Sequence, residues 1–340
     1  MKCRKSRLSN QLFTNITQNS PPLGLYPSAQ RVSYLYFLGR YHFSNNHFFY
    51  AQGCLQSAYE QCHSQCISQR RLILIYLMAC NIILGRFPTQ AFLSRQEAAS
   101  ILPKFLPITQ AIKKGDMIAF KRALGRESGN ERWFFKHGIL LPLLSRCEVL
   151  VWRSFARRVF LLTYSWPFDP SARKAPTLNI GDLVTAAQYC QKRLEGWTTP
   201  VSSMTPMQLG RTHPNSMFLK APDLEPPYTG QKHLGPYEGM ISGNKMPELH
   251  DIEAVLANLV SQGLMFGFLS HNQCKFAIIG SKAKGGPLKA GFPDVWKVLK
   301  AKATKENRAG DIPGWVQTER QGGGGGVFNL TGARPVGSGG

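Results

Sequence analysis

Two groups of side chains in this chain have types that could do chemistry. One is the short run Cys62-His63-Ser64-Gln65-Cys66; the other is a large surplus of lysine and arginine. On a helix Cys62 and Cys66 stand at i, i+4, within reach of one ion. A closed zinc site needs four ligands, and no second Cys/His pair has matching spacing. The run is therefore read as helix packing, with His63 on the surface and neither metal nor cofactor expected. The remaining cysteines are scattered singly among the eight present, a pattern that predicts reduced thiols of the nucleus or cytosol. The sequons at Asn15 and Asn329 then read as chance matches. No local signature assembles a Cys/His or Ser/His/Asp arrangement. With only 19 acidic residues, candidates for carboxylate pairs are few. No catalytic residue is assigned, and the chain is expected not to be an enzyme.

The cationic surplus is the stronger signal. Forty-one Lys/Arg against 19 Asp/Glu give a net charge of +22, which favours a polyanionic or acidic partner. The excess is uneven: the first fifty residues hold no acid, and Ser281–Arg308 carries eight Lys/Arg against two acids. Arg146, Arg153 and Arg157 fall within about 40° of one another on a continuous helix, with Arg158 alongside. Lys275, Lys282, Lys284 and Lys289 cluster further on. These eight are the candidate contacts to an RNA or DNA backbone, with strong salt dependence and little sequence preference. No apolar run reaches the ~18 residues of a membrane span, so no membrane insertion is expected, and residues 1–20 lack a signal peptide's apolar segment.

The elements that must position these groups are mostly helical. Residues 1–27 read as an irregular basic N-terminus. From Ser28 to about 144, short turns alternate with two-turn to four-turn helices, like stacked tetratricopeptide hairpins without a strict period. Val32 to Gly39, Phe48 to Cys62 and Arg70 to Leu84 are the first three. Ile101–Leu106 is bounded by prolines, Ile108–Lys113 is a short helix ended by Gly115, and Asp116 is placed to cap Met117–Leu124. Trp133 to Leu144 is expected to kink or break at Pro142. Arg146–Tyr164 and Thr177–Lys192 are further helices. Residues 195–247, with eight prolines, form an irregular insertion.

Ile252, Val255, Leu256, Leu259 and Val260 then make one apolar helical face, stopped by Gly263. Two short apolar runs, Leu264–Leu269 and Cys274–Ile279, flank a polar turn. Helix, stop, strand, turn, strand is the latter half of a winged helix with a two-stranded wing. The opposite face of that helix carries Glu253, Ala254, Ala257, Asn258 and Ser261 but no Lys or Arg, which argues against reading bases in a major groove. Residues 282–340 are a basic tail with a short helical piece near Val295–Lys302, glycine-rich from Gly322. The fold class is mainly α: a helical-hairpin solenoid (28–144), then a winged helix with a small β-hairpin (145–281) interrupted by the insertion.

Five ordered blocks carry a resemblance: Ala29–Arg40, Gln69–Leu77, Gly85–Leu93, Trp152–Leu162 and Asp251–His271. Over about Tyr26 to Ser281, outside the insertion, the chain resembles the PCI-domain family. The branch it resembles most is that of the transcription-coupled mRNA export complex (TREX, second type). Signalosome-like, splicing-linked relatives stand near. The family's usual upstream repeats are short or absent here, as in a shortened chain, and the insertion and tail are extra. The resemblance implies a PCI fold and a non-enzymatic scaffold subunit of the nucleus, at the nuclear pore. It implies docking of the winged helix to a large scaffold subunit, with a small acidic Sem/DSS-type protein beside the pair. The contacts carried over onto the wing are Leu264, Phe266, Phe268, Phe276 and Ile278, helped by the free edge groups of a two-stranded wing.

Overall fold

The structure, a computed structural model, describes residues 11–305 apart from 14, 17–18, 90–91, 93, 165–174, 199–223 and 229. The glycine-rich tail and residues 199–223 of the insertion lie outside these residues.

Helix α1 (Ser28–Ser44) pairs with α2 (Phe48–Gln61) because Gly39 lets Leu55 in. A Cβ on Gly39 would come within 2.6 Å of the Leu55 side chain. Helix α3 (Ile67–Ile83) buries residues on every side and forms the centre of the solenoid. The Cys62–Cys66 run does not share a helical face. Helix α2 ends at Gln61 and Cys66 caps α3, leaving Cys62 buried and Cys66 exposed.

Helix α4 (Leu102–Lys114) corrects the reading of two pieces separated by proline. Pro103 sits in the first turn. Pro107 forfeits only the bond to the Pro103 carbonyl, and the buried face of Phe105, Ile108, Ala111 and Ile112 holds the helix together. Gly115 stops it with φ +67°. A Cβ there would lie 2.5 Å from the Phe155 backbone nitrogen, so the turn into α5 (Met117–Leu124) packs directly on the next long helix. Asp116 caps α5 by accepting the Ala119 N–H at 2.9 Å.

The expected break at Pro142 falls earlier. Helix α6 (Glu131–Lys136) ends before Gly138, at φ +68°. Helix α7 (Leu140–Thr163) then begins with Pro142 in its first turn, where a missing N–H costs nothing. Because α7 runs unbroken past residue 144, solenoid and winged helix share one buried rod.

The winged helix has one more strand than its sequence suggests. Thr177–Asn179, read as the start of a helix, is strand β1, and Asn179 ends it by capping α8 (Ile180–Leu194) through the Gly181 N–H. Helix α9 (Leu249–Ser261), strand β2 (Gly267–Ser270) and strand β3 (Lys275–Ile278) follow. The antiparallel sheet has the order β1-β3-β2. Helices α10 (Pro287–Gly291) and α11 (Val295–Lys305) run back to the solenoid, where Trp296 stacks on Phe49 at 5.6 Å. Residues 224–247 of the insertion are irregular but packed. Leu234 and Met240 are buried, and Gln191 and Glu195 at the end of α8 bind Gly243, Asn244, Gln231 and the Met240 N–H.

The chain is thus mainly helical, with helical hairpins and a small C-terminal three-stranded sheet. Among the described residues, no helix is long and apolar enough to cross a membrane.

Candidate partner and nucleic-acid interface

Alternation along the three strands sorts the wing into two faces. Leu178, Phe276 and Leu269 lie side by side across the sheet. Phe276 and Leu178 are fully buried, as are Ile278 and, just before β2, Leu264. Three of the five expected contact residues, Leu264, Phe276 and Ile278, are therefore core and cannot touch a partner. Their outward neighbours form the other face. Thr177, Ala277 and Phe268 make one row, and Asn179, Lys275 and Ser270 the next.

Phe266 and Phe268 remain exposed at 44% and 54%, joined by Ile279 at 45%, which the sequence reading passed over. Lys284 sits 4.1 Å above the Phe266 ring, combining charge and apolar area in one patch. Lys275, Lys282, Lys284 and Lys289 are all exposed. The edge reading also changes. β3 is paired on both sides, so of the two wing strands only β2 keeps an open edge, and the Phe266 N–H ahead of it already donates to the Gly291 carbonyl at 2.9 Å.

Helix α9 is held at both ends. Glu248 and Asp251 form a reciprocal capping box, and Lys245 bonds Asp251 at 2.8 Å. That hydrogen bond holds the Asp251 carboxyl below the usual range, although partial burial works against it. Glu253 is half-buried, with His271 Nδ1 2.9 Å from its Oε2, which ties the wing turn to the helix. Beyond its first turn, where Glu248 and His250 are exposed, α9 leaves Ala254, Ala257, Asn258 and Ser261 exposed. This surface is small and uncharged, unlike one that reads base edges.

The arginine stripe on α7 divides. Arg153 faces inward. Its Nε donates to the Leu264 carbonyl at 3.2 Å, and its Nη2 donates to the carbonyls of Phe292 (3.0 Å) and Pro293 (2.5 Å). Burial, then the nearby Arg157, pushes its pKa down to about 10. The cation is engaged in joining α7 to the entry of β2 and the end of α10, so it is not a phosphate contact. Arg146 is half-buried and burial lowers its pKa as well. Arg157 is half-buried, and Arg158 is exposed beside a cavity of about 180 Å³ between α5, α7 and α8. The eight candidate cations thus do not form one surface: the wing lysines are displayed, whereas the α7 arginines are partly spent on packing. Among the described residues, no three His, Cys, Asp or Glu side chains are placed to hold a metal ion.

No family model matches the chain. It is 33% identical over 187 residues to a PCI domain-containing protein of Schizosaccharomyces pombe, covering 55% of the chain and 40% of that relative. It is 32% identical over 137 residues to PCI domain-containing protein 2 of Danio rerio, covering 40% of the chain and 32% of the relative. It is 30% identical over 164 residues to a CSN12 homologue of Neurospora crassa, covering 47% and 35% respectively. The chain spans less than half the length of each of these relatives.

Proposed function

Since the chain belongs to the PCI domain-containing protein family, we propose that it is a non-enzymatic subunit of a nuclear assembly that couples transcription to mRNA export. It docks through its winged helix to a large scaffold subunit, with a small acidic protein of the Sem/DSS type completing the site. It holds RNA or DNA by the phosphate backbone. The observation that carries this reading is the outer wing face, where Phe266, Phe268 and Ile279 are exposed beside Lys275, Lys282 and Lys284. Exposed aromatics anchor a partner, and exposed lysines beside them favour an acidic one or a phosphate. Similarity to proteins called PCI domain-containing protein 2 supports the export branch.

The test is recovery of partners from nuclear extract with the intact chain and with Phe266→Asp/Phe268→Asp. The export reading requires a large scaffold subunit of the export complex that is lost with the double variant. Similarity to proteins called CSN12 homologues favours a second reading, a scaffold in a signalosome-like, splicing-linked complex. Recovery of that complex's subunits instead decides for it.

A further inference from the structure

The cavity beside Arg158, about 180 Å³ where α5, α7 and α8 meet, shares no residue with the wing. Met117, Phe155, Val159 and Ala186 line it as buried residues, and Ile118 and Leu162 as half-buried ones. Cys190 also lines it. Burial, then the nearby Asp116, pushes its pKa up to about 12, so the thiol stays neutral and behaves as one more apolar group. An apolar cavity of about 150 Å³ is enough to hold benzene, so the space here admits a branched aliphatic side chain.

Two groups of opposite charge line the same space. Arg158, on α7, is exposed, and Asp182, in the first turn of α8, is half-buried. They do not form an ion pair with each other among the described residues. Asn179 Nδ2 stands 3.4 Å from Asp182 Oδ1, a long hydrogen bond, and burial raises the Asp182 carboxyl above its ordinary value. The other acid of the lining, Asp116, is committed to capping α5, where it accepts the Ala119 N–H at 2.9 Å. A fatty acid would pair with Arg158 but leave Asp182 beside an alkyl chain, and an apolar amine would do the reverse. A nucleobase or a sugar would set several polar groups against a wall that offers them few partners. A small molecule with an anion, a cation and a compact apolar group meets all three features of the lining.

We propose that this cavity binds a free apolar α-amino acid of about the size of leucine. The side chain fills the apolar space. The carboxylate pairs with Arg158 in a charge-assisted hydrogen bond, and the ammonium pairs with Asp182. The joint between solenoid and winged helix thus carries a small-molecule site that is independent of the wing face.

The test measures binding of L-leucine to the full chain by isothermal titration, with a Kd of about 1 mM or tighter expected for so small a ligand. Leucinamide lacks the carboxylate and isocaproate lacks the ammonium. Each should bind about tenfold more weakly than leucine, the loss of one charge-assisted contact. Arg158→Gln should bring leucine down to the level of leucinamide, and Asp182→Asn should bring it down to the level of isocaproate. Ala186→Met, which fills the space, should abolish binding. Arg158 and Asp182 lie outside the core, so their variants report on the site even where Ala186→Met fails to fold. No heat of binding at about 10 mM leucine would overturn the proposal. Equal affinity for leucine, leucinamide and isocaproate would reduce the site to an apolar void and overturn it too. Tighter binding of the dipeptide Gly-Leu than of leucine, lost in Arg158→Gln, would assign the cavity to the C-terminus of a partner protein and overturn it as well.

Discussion

Arg153 on α7 and Lys275 on β3 carry the same charge and were candidates for the same task, yet they have opposite fates. Arg153 donates to three backbone carbonyls from two segments and is a structural rivet. Lys275 stands exposed on the outer face of a sheet whose inner face is core. Helical spacing tells which residues share a face. It does not tell whether another element will cover that face, and the strand and loop that cover Arg153 lie more than a hundred residues later.

The contrast can be broken most directly at Arg153. Arg153→Ala leaves carbonyls unsatisfied in a buried seam and should cost roughly 3 kcal/mol, at 1–3 kcal/mol per orphaned group with partial relaxation. Urea unfolding would measure it, and a loss below about 1 kcal/mol would return Arg153 to the surface class. Next is Glu97, a nearly buried acid bonded to Tyr59 and Arg70. Burial alone would raise its pKa, but hydrogen bonds from Tyr59 and Arg70 hold it lower. Its contribution is therefore present above the ordinary carboxylate range and disappears as pH falls through its lowered folded value. Glu97→Gln should cost about 1–3 kcal/mol near neutrality, by loss of a charged hydrogen-bond acceptor. The penalty should shrink in acid, as thermal melts across pH would show.

A smaller effect is expected at His42, whose pKa is pushed down to about 4, first by burial and then by His47. It stays neutral in the fold but protonates in the unfolded chain near 6.5. Stability should fall from pH 6.5 towards 4, and His42→Phe should flatten that part of the profile. The wing lysines are the other extreme. Lys275→Glu/Lys282→Glu/Lys284→Glu should change stability by no more than about 0.5 kcal/mol per site. It should nevertheless weaken RNA binding several-fold and make the slope of affinity against salt shallower by about one unit per lost phosphate contact. Intact RNA binding in the triple variant would remove these residues from the interface.

Much of the helical framework was legible because its apolar stripes are long. Gly115 and Asp116 mark helix ends by simple backbone chemistry. Strand β1 was not, since three residues of which the last, Asn179, is itself an N-cap look like the first turn of a helix. Missing it left the wing one strand short and made β3 look like an edge. For the same reason Phe276 and Ile278 read as displayed, although β1, β2 and α10 enclose them. At Pro107 and Pro142 the reading overestimated proline as a breaker: Pro142 lies in a first turn where no helix bond is lost, and the one bond Pro107 forfeits inside α4 is outweighed by the buried face around it. The lysines of the wing were visible because they cluster in sequence.

Trp296 stacks on the Phe49 ring and has the Arg86 guanidinium 4.7 Å from its centroid, so a residue close to the end of the described fold packs on one close to its start. This closes a loop of about 250 residues. Loop closure over such a span is slow compared with hairpin formation. During synthesis the first hairpin can form early, but its outer surface is sealed only after the wing and α11 have emerged. Until then, Phe49 and its neighbours present apolar area to whatever binds nascent chains.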